Sequence, residues 1–155
     1  LTVGKGRVFF GVPGQPIRIR TLEKMSEIYG IKFTEEEKKR FSLIESFGVP
    51  IGNLKQIINM KGDDRNRKGL QTGIPVDSVD VRPSELFNWI KQARYATKEL
   101  HNADLRLSIK GDTKEEYPAV KNIIDILVPF AKRIFGLIIH LQGISKETGH
   151  LVKEV

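Results

Sequence analysis

The residue types that most often carry out chemistry occur in this chain without the spacing that such chemistry needs. A Gly-Lys-Gly segment at residues 4–6 lacks the loop length and the following Ser or Thr of a phosphate-binding loop. His101, His140 and His150 are too far apart along the chain to form a local metal motif. The lack of cysteine excludes thiol chemistry, and no G-x-S-x-G nucleophile motif occurs. We therefore expect no catalytic, cofactor-binding or metal-binding residue, and the chain is predicted not to be an enzyme.

The clearest pattern of secondary structure lies between residues 105 and 143. Leu105, Leu107 and Ile109 alternate with polar residues, which is the period of a half-buried strand. From Tyr117 the apolar period becomes helical, and a second apolar run at residues 134–141 predicts another strand. A strand-helix-strand unit of this kind is expected to have parallel strands and a right-handed crossover.

The first thirty residues predict a hairpin followed by a helix. Residues 8–10 and 17–19 are expected to pair across a type II turn that contains Pro13-Gly14. Thr21 is then expected to cap a short helix that ends at Gly30.

The middle of the chain predicts two more short helices and a loop. Thr34 begins a capping box, so a helix is expected to run from there to about Ser46. A third helix at residues 52–60 would direct Leu54, Ile57 and Ile58 inward, and the polar, Gly-punctuated residues 62–75 are expected to form a mobile loop.

A helix with a clearer apolar pattern is predicted to follow Pro83, because proline is favoured near helix N-termini. It is expected to end between residues 99 and 102. Its apolar face consists of Leu86, Trp89, Ile90, Ala93 and Ala96.

Together these elements predict an α+β fold, a two-layer sandwich in which a small mixed sheet carries helices on one face. We expect a single domain at residues 1–143. Residues 144–155 are expected to form a C-terminal tail.

Several segments of the chain resemble the ExbD/TolR family. Two of them are near the C-terminus, the sequence IKGD at residues 109–112 and the sequence YP at residues 117–118. The sequences GRVFFG at residues 6–11 and PIRI at residues 16–19 resemble the opening hairpin of the family. Three segments between residues 33 and 50 resemble the longer, Bacteroidetes-type variant, and this resemblance implies that about residues 21–81 are a helical insertion relative to the usual short form.

This resemblance implies that the chain is the periplasmic domain of a single-pass inner-membrane motor subunit. Such subunits use the proton-motive force to energise outer-membrane transport in TonB/Tol-type systems, and the membrane helix would lie outside this chain. The implied partners are an ExbB/TolQ-like channel subunit, a TonB/TolA-like energy transducer and a second copy of the chain in a homodimer. Peptidoglycan is a further candidate partner, whereas nucleic acid is not expected.

A domain of this family would act by protein–protein contact, and five residues are candidates for the interface. Phe9 and Phe10 belong to the opening strand, whose open edge would offer unpaired backbone groups to another chain. Lys110 and Asp112 belong to the strand-to-helix loop, and Tyr117 follows it. Asp112 has the alternative role of a cap or Asx turn, and Tyr117 could pack the helix start onto the core.

The net charge of +7 requires a separate explanation. The basic residues 38–40 directly follow three glutamates, and the basic residues at 65–68 have Asp63 and Asp64 beside them. We expect these charges to form a solvated surface with local pairing. The alternative function is a soluble basic module that binds nucleic acid or another polyanion, and a third possibility is a small enzyme with a deep pocket.

Overall fold

The computed structural model describes residues 1–77, 83–111 and 121–127 and the backbone of residues 138–141. Its strands form a four-stranded mixed sheet in the order β2-β1-β3-β4, where β1 and β2 are antiparallel and the other neighbouring pairs are parallel. The strands are β1 (Thr2–Gly4), β2 (Arg7–Phe9), β3 (Ser108–Gly111) and β4 (Ile138–Leu141). The helices are α1 (Gln15–Tyr29), α2 (Glu35–Ser42), α3 (Ile51–Asn59), α4 (Gly62–Arg65) and α5 (Glu85–His101). Residues 121–127 are also helical.

The opening hairpin differs from the predicted one. Strand β2 pairs with β1 across a two-residue turn, in which Lys5 and Gly6 both have positive φ, as a type I′ turn requires. Residues 17–19 instead lie in α1, whose start is favoured by Pro16 in the first helical turn. Thr21 is therefore not a cap, and its hydroxyl donates to the carbonyl of Ile17 from within the helix.

The middle helices follow the predicted signals, with shifted boundaries. The capping box at Thr34 is confirmed, but α2 ends at Ser42 and is shorter than expected. Helix α3 buries the three predicted residues, and Gly30 ends α1 in the left-handed conformation. The segment predicted as a loop at residues 62–75 contains the short helix α4.

Helix α5 is confirmed almost residue for residue. It is capped by the hydroxyl of Ser84, which accepts from the backbone N–H of Phe87, and it ends at Asn102 in the left-handed conformation. All five residues of its predicted apolar face are fully buried. Helix α1 packs against α5 and α2, and α2 packs against α3.

The C-terminal strand-helix-strand pattern is confirmed where the structure describes it. Strands β3 and β4 are parallel neighbours, and Ile123 and Leu127 of the helical residues 121–127 are buried. The predicted helix start at Tyr117 and the tail at residues 144–155 lie outside the described residues.

The two faces of the sheet have different surroundings. Val3, Val8 and Ile109 belong to the same hydrophobic core as the buried residues of the helices. On the opposite face, Thr2, Ser108 and Lys110 are exposed. The domain is therefore an α+β fold whose mixed sheet is covered by helices on its core face and keeps an exposed polar face.

Candidate partner-binding surface

The exposed face of the sheet is centred on Lys110. This residue directly neighbours Thr2 across the β1–β3 pair, and Thr2 neighbours Phe9 across the β1–β2 pair. Cross-strand partners project to the same side of a sheet, so the three side chains lie in one row. On the other side of Lys110, its backbone pairs with residue 140 of β4. The alternation of residues 105–110 predicted the exposure of Lys110, and the structure confirms it.

A shallow cleft of about 310 Å³ adjoins this row. Its lining includes Lys110, Ser108, Glu45 and Arg18. The Arg18 guanidinium donates to the carbonyl of Val12 at 2.7 Å and to the carbonyl of Ser42 at 2.8 Å, which ties three segments together at the wall. A shallow, polar cleft with charges of both signs suits contact with a protein better than enclosure of an apolar small molecule.

Phe9 and Phe10 have different environments from the predicted ones. Phe9 is half-buried, and its ring packs directly against Gly48, where a Cβ would clash with the ring. Phe10 is only 2% exposed, and its ring packs against Trp89 and Phe47 in the core. The side chain of Phe10 is therefore not available to a partner.

The outer edge of β2 is also closed, contrary to the prediction of an open edge. Phe10 and Phe47 exchange two backbone hydrogen bonds, with N to O distances of 2.8 and 3.0 Å. The N–H of Ile74 donates to the carbonyl of Val8 at 2.9 Å. These segments cover the backbone groups that an edge strand would otherwise present to another chain.

Strand β4 lies at the other edge of the sheet. It pairs with β3 on one side, and within the described residues no strand pairs with its outer side. Lys110 therefore lies one strand away from this edge. Asp112 and Tyr117, the other two predicted interface residues, lie outside the described residues, and their roles stay predictions.

Most of the basic side chains in the two clusters at residues 38–40 and 65–68 have local partners. Lys38 pairs with Glu35 at 2.8 Å and Arg40 pairs with Glu36 at 2.8 Å, as the spacing predicted. Arg67 pairs with Asp64, and Arg65 donates to backbone carbonyls at the end of α3. These contacts fit a solvated surface with local pairing, since basic side chains of both clusters bind acceptors within the chain.

Sequence reasoning missed Glu85, a half-buried carboxylate in the first turn of α5. Its Oε1 accepts from the backbone N–H of Ile51 at 2.7 Å and from the indole N–H of Trp89 at 3.3 Å. It thereby caps the start of α3, whose own N-cap, Pro50, has no side-chain hydrogen bond. Burial raises the pKa of the Glu85 carboxyl above its ordinary value of 4.5, against the opposing effect of the two hydrogen bonds.

This environment predicts a pH-dependent difference between the wild type and Glu85→Gln. A carboxyl whose pKa is raised by folding contributes stability that is complete below pH 4.5 and is lost as the pH rises through the folded-state pKa. The glutamine retains an acceptor for Ile51 but does not ionise. We therefore expect the variant to gain stability relative to the wild type as the pH increases from about 4 to 7, measured by urea unfolding. A constant difference over that range would contradict the assignment.

The helices and side-chain clusters of the described residues carry two further findings. None of these helices combines the length and apolar character needed to cross a membrane. Within the same residues, no three His, Asp or Glu side chains are grouped so that they could hold a metal ion.

Comparison of this chain with family models, with curated proteins and with solved structures found no match.

Proposed function

We propose that this chain is the periplasmic domain of an ExbD/TolR-like motor subunit, which couples the proton-motive force to outer-membrane transport by protein–protein contact. The observation that supports this proposal best is the outer side of β4, with which no strand of the described residues pairs, next to the exposed row at Lys110. The resemblance of the segments at residues 6–19 and 109–118 supports the choice of family. In this proposal the chain catalyses no reaction.

The physical basis of the contact is strand addition. The outer side of an edge strand presents backbone N–H and C=O groups to an extended segment of another chain. Strand β4 has four residues, which provides a short ladder, so side-chain contacts from the adjacent face must add specificity. Lys110 and the charged cleft beside it can provide those contacts.

The proposed partners follow from this geometry and from the family. A second copy or a TonB/TolA-like transducer would bind at β4, whereas an ExbB/TolQ-like channel subunit would bind a membrane helix outside this chain. Peptidoglycan is a further proposed partner, because Lys110 and the other exposed cations suit an anionic polymer.

Site-specific crosslinking of the full-length protein in native cells tests this proposal. A photoreactive amino acid at position 110 should form adducts with a second copy or with another envelope protein, because it lies beside the β4 edge. The matched control is position 39, an exposed lysine on α2. Equal adduct yields at positions 39 and 110, or no adduct at 110, would contradict the proposal.

The alternative function, a soluble polyanion-binding module, rests on the net charge of +7. It predicts retention on heparin that decreases steeply with salt, because the binding releases counterions. Elution at low salt, together with adducts at position 110, would exclude this alternative in favour of protein contact.

A further inference from the structure

A second and larger cleft lies between the end of α1 and the first half of α5. Its volume is about 590 Å³, and it shares no lining residue with the cleft at Lys110. Ligand-binding clefts in proteins typically have volumes of about 300–1,000 Å³. Ile28, Pro75 and Pro83 form the apolar part of its lining, and the exposed fraction of Ile28 is 48%.

The charged residues that the structure describes along this cleft are mainly acidic, although the chain as a whole is basic. Among the described lining residues, Asp77 and Glu85 contribute two carboxylates and Lys91 contributes one ammonium. The Lys91 ammonium lies 5.8 Å from the ring centroid of Tyr95, which does not line the cleft. In the described part of the chain, neither carboxylate has an ion-pair partner.

Glu85 is held in place before any ligand binds. Its Oε1 accepts both hydrogen bonds, from Ile51 and from Trp89, and neither bond uses Oε2. Burial raises the pKa of Glu85, and it also raises the pKa of Tyr29, which lines the same cleft. A cation placed here would offset the cost of burying the carboxylate, because an opposite charge favours the ionised form.

The polar side chains of α5 are spaced to contact an extended peptide. Asn88 and Gln92 both line the cleft and are four residues apart, so their Cα atoms are about 6 Å apart along the helix axis. Every second residue of an extended chain recurs at about 6.6 Å, which is close to that spacing. Side-chain amides carry both donors and acceptors, so each can bond a peptide backbone group. Asn88 already donates to the Tyr29 hydroxyl at 2.9 Å, which leaves the hydroxyl proton for a ligand acceptor.

We infer that this cleft binds a lysine or arginine side chain presented by an extended segment of a partner protein. The cationic group contacts the Asp77 carboxylate and Glu85 Oε2. Its aliphatic stem packs on Ile28 and the two prolines, while Asn88 and Gln92 hold the backbone. This inference is independent of the proposed function, because it concerns a different surface.

Titration of the ¹⁵N-labelled chain with synthetic peptides tests the inference by NMR. The chain has a single tryptophan, so the indole N–H of Trp89 gives one signal, and that group donates directly to Glu85. The probe is the peptide acetyl-Ala-Leu-Lys-Leu-Ala-amide, and the matched peptide has norleucine in place of lysine. We expect the lysine peptide to shift the signals of Trp89, Asn88 and Gln92 with a dissociation constant of about 1 mM or lower, and the norleucine peptide to leave them unchanged.

Two variants separate the cleft from general charge attraction. Asp77→Asn removes an exposed carboxylate of the cleft and should raise the dissociation constant of the lysine peptide about twofold to fivefold. Asp104→Asn makes the same change at an exposed carboxylate that is not among the described lining residues of either cleft, and it should leave the affinity unchanged. Equal binding of the norleucine peptide, unchanged binding by Asp77→Asn, or no shift up to about 5 mM peptide would overturn the inference. Shifts of equal size with free butylamine would assign the cleft to small amines and overturn the peptide assignment.

Discussion

Replacement of Trp89 by alanine should lower the free energy of unfolding by about 3–5 kcal/mol, the range for removing a large aromatic side chain from a core. Trp89 is fully buried, and its ring lies within 4.8 to 6.1 Å, centroid to centroid, of Phe47, Phe41 and Phe10. Since a small domain has only about 5–15 kcal/mol of net stability, the variant should be largely unfolded under mild denaturing conditions. Urea unfolding followed by circular dichroism measures the change, because the variant has no tryptophan fluorescence.

Two controls separate loss of the ring from loss of its hydrogen bond. Trp89→Phe removes the indole donor to Glu85. Because it retains an aromatic ring in the core, it should be less destabilising than Trp89→Ala. Tyr95 lies on the same helix and is 47% exposed. Tyr95→Ala should therefore lower the free energy of unfolding much less than Trp89→Ala. A loss for Tyr95→Ala as large as that for Trp89→Ala would contradict the central role of the aromatic cluster.

Gly11→Ala should also be strongly destabilising, although alanine is the smallest possible addition. A Cβ at this position would clash with the backbone carbonyl oxygen of Glu45. The chain at Glu45 cannot move away freely, because the paired hydrogen bonds between Phe10 and Phe47 hold the two segments together. Overpacking of this kind costs about 1–3 kcal/mol and occasionally more. Urea unfolding of the variant measures the loss.

Gly52→Ala is the matched control for this prediction. Gly52 lies in α3, and a Cβ there would meet no atom within 4 Å. Alanine in a helix is favoured over glycine by about 0.5–1 kcal/mol, so this substitution should stabilise the protein. Opposite signs for the two glycine variants would confirm that contact at Gly11, and not loss of glycine itself, determines the effect.

Elements with strong local signals could be predicted from the sequence. Thr34 and Glu37 satisfy each other's backbone N–H groups within four residues, so the start of α2 needed no tertiary information. The apolar face of α5, from Leu86 to Ala96, repeats over about three turns of helix, and the alternation at residues 105–110 predicted the exposure of Lys110.

The errors arose where the pattern was too short or the contact was nonlocal. Residues 17–19 fit a strand and a helix equally well, and only the pairing of β1 with β2 decides between them. Phe9 and Phe10 are adjacent, so their opposite environments depend on the sheet register and on the contact with Phe47. Glu85 caps a helix that begins 34 residues earlier, which no local motif indicates.

The most direct test of the proposed motor-subunit function is the location of the full-length protein in native cells. Cells are fractionated to locate the protein, and protease is added separately to intact cells and to spheroplasts, in which the outer membrane has been opened. We expect the protein to remain with the inner membrane after washing with high salt, and this domain to be digested only when the outer membrane has been opened. Recovery of the protein in the soluble fraction, or protection of this domain in spheroplasts, would contradict the proposal.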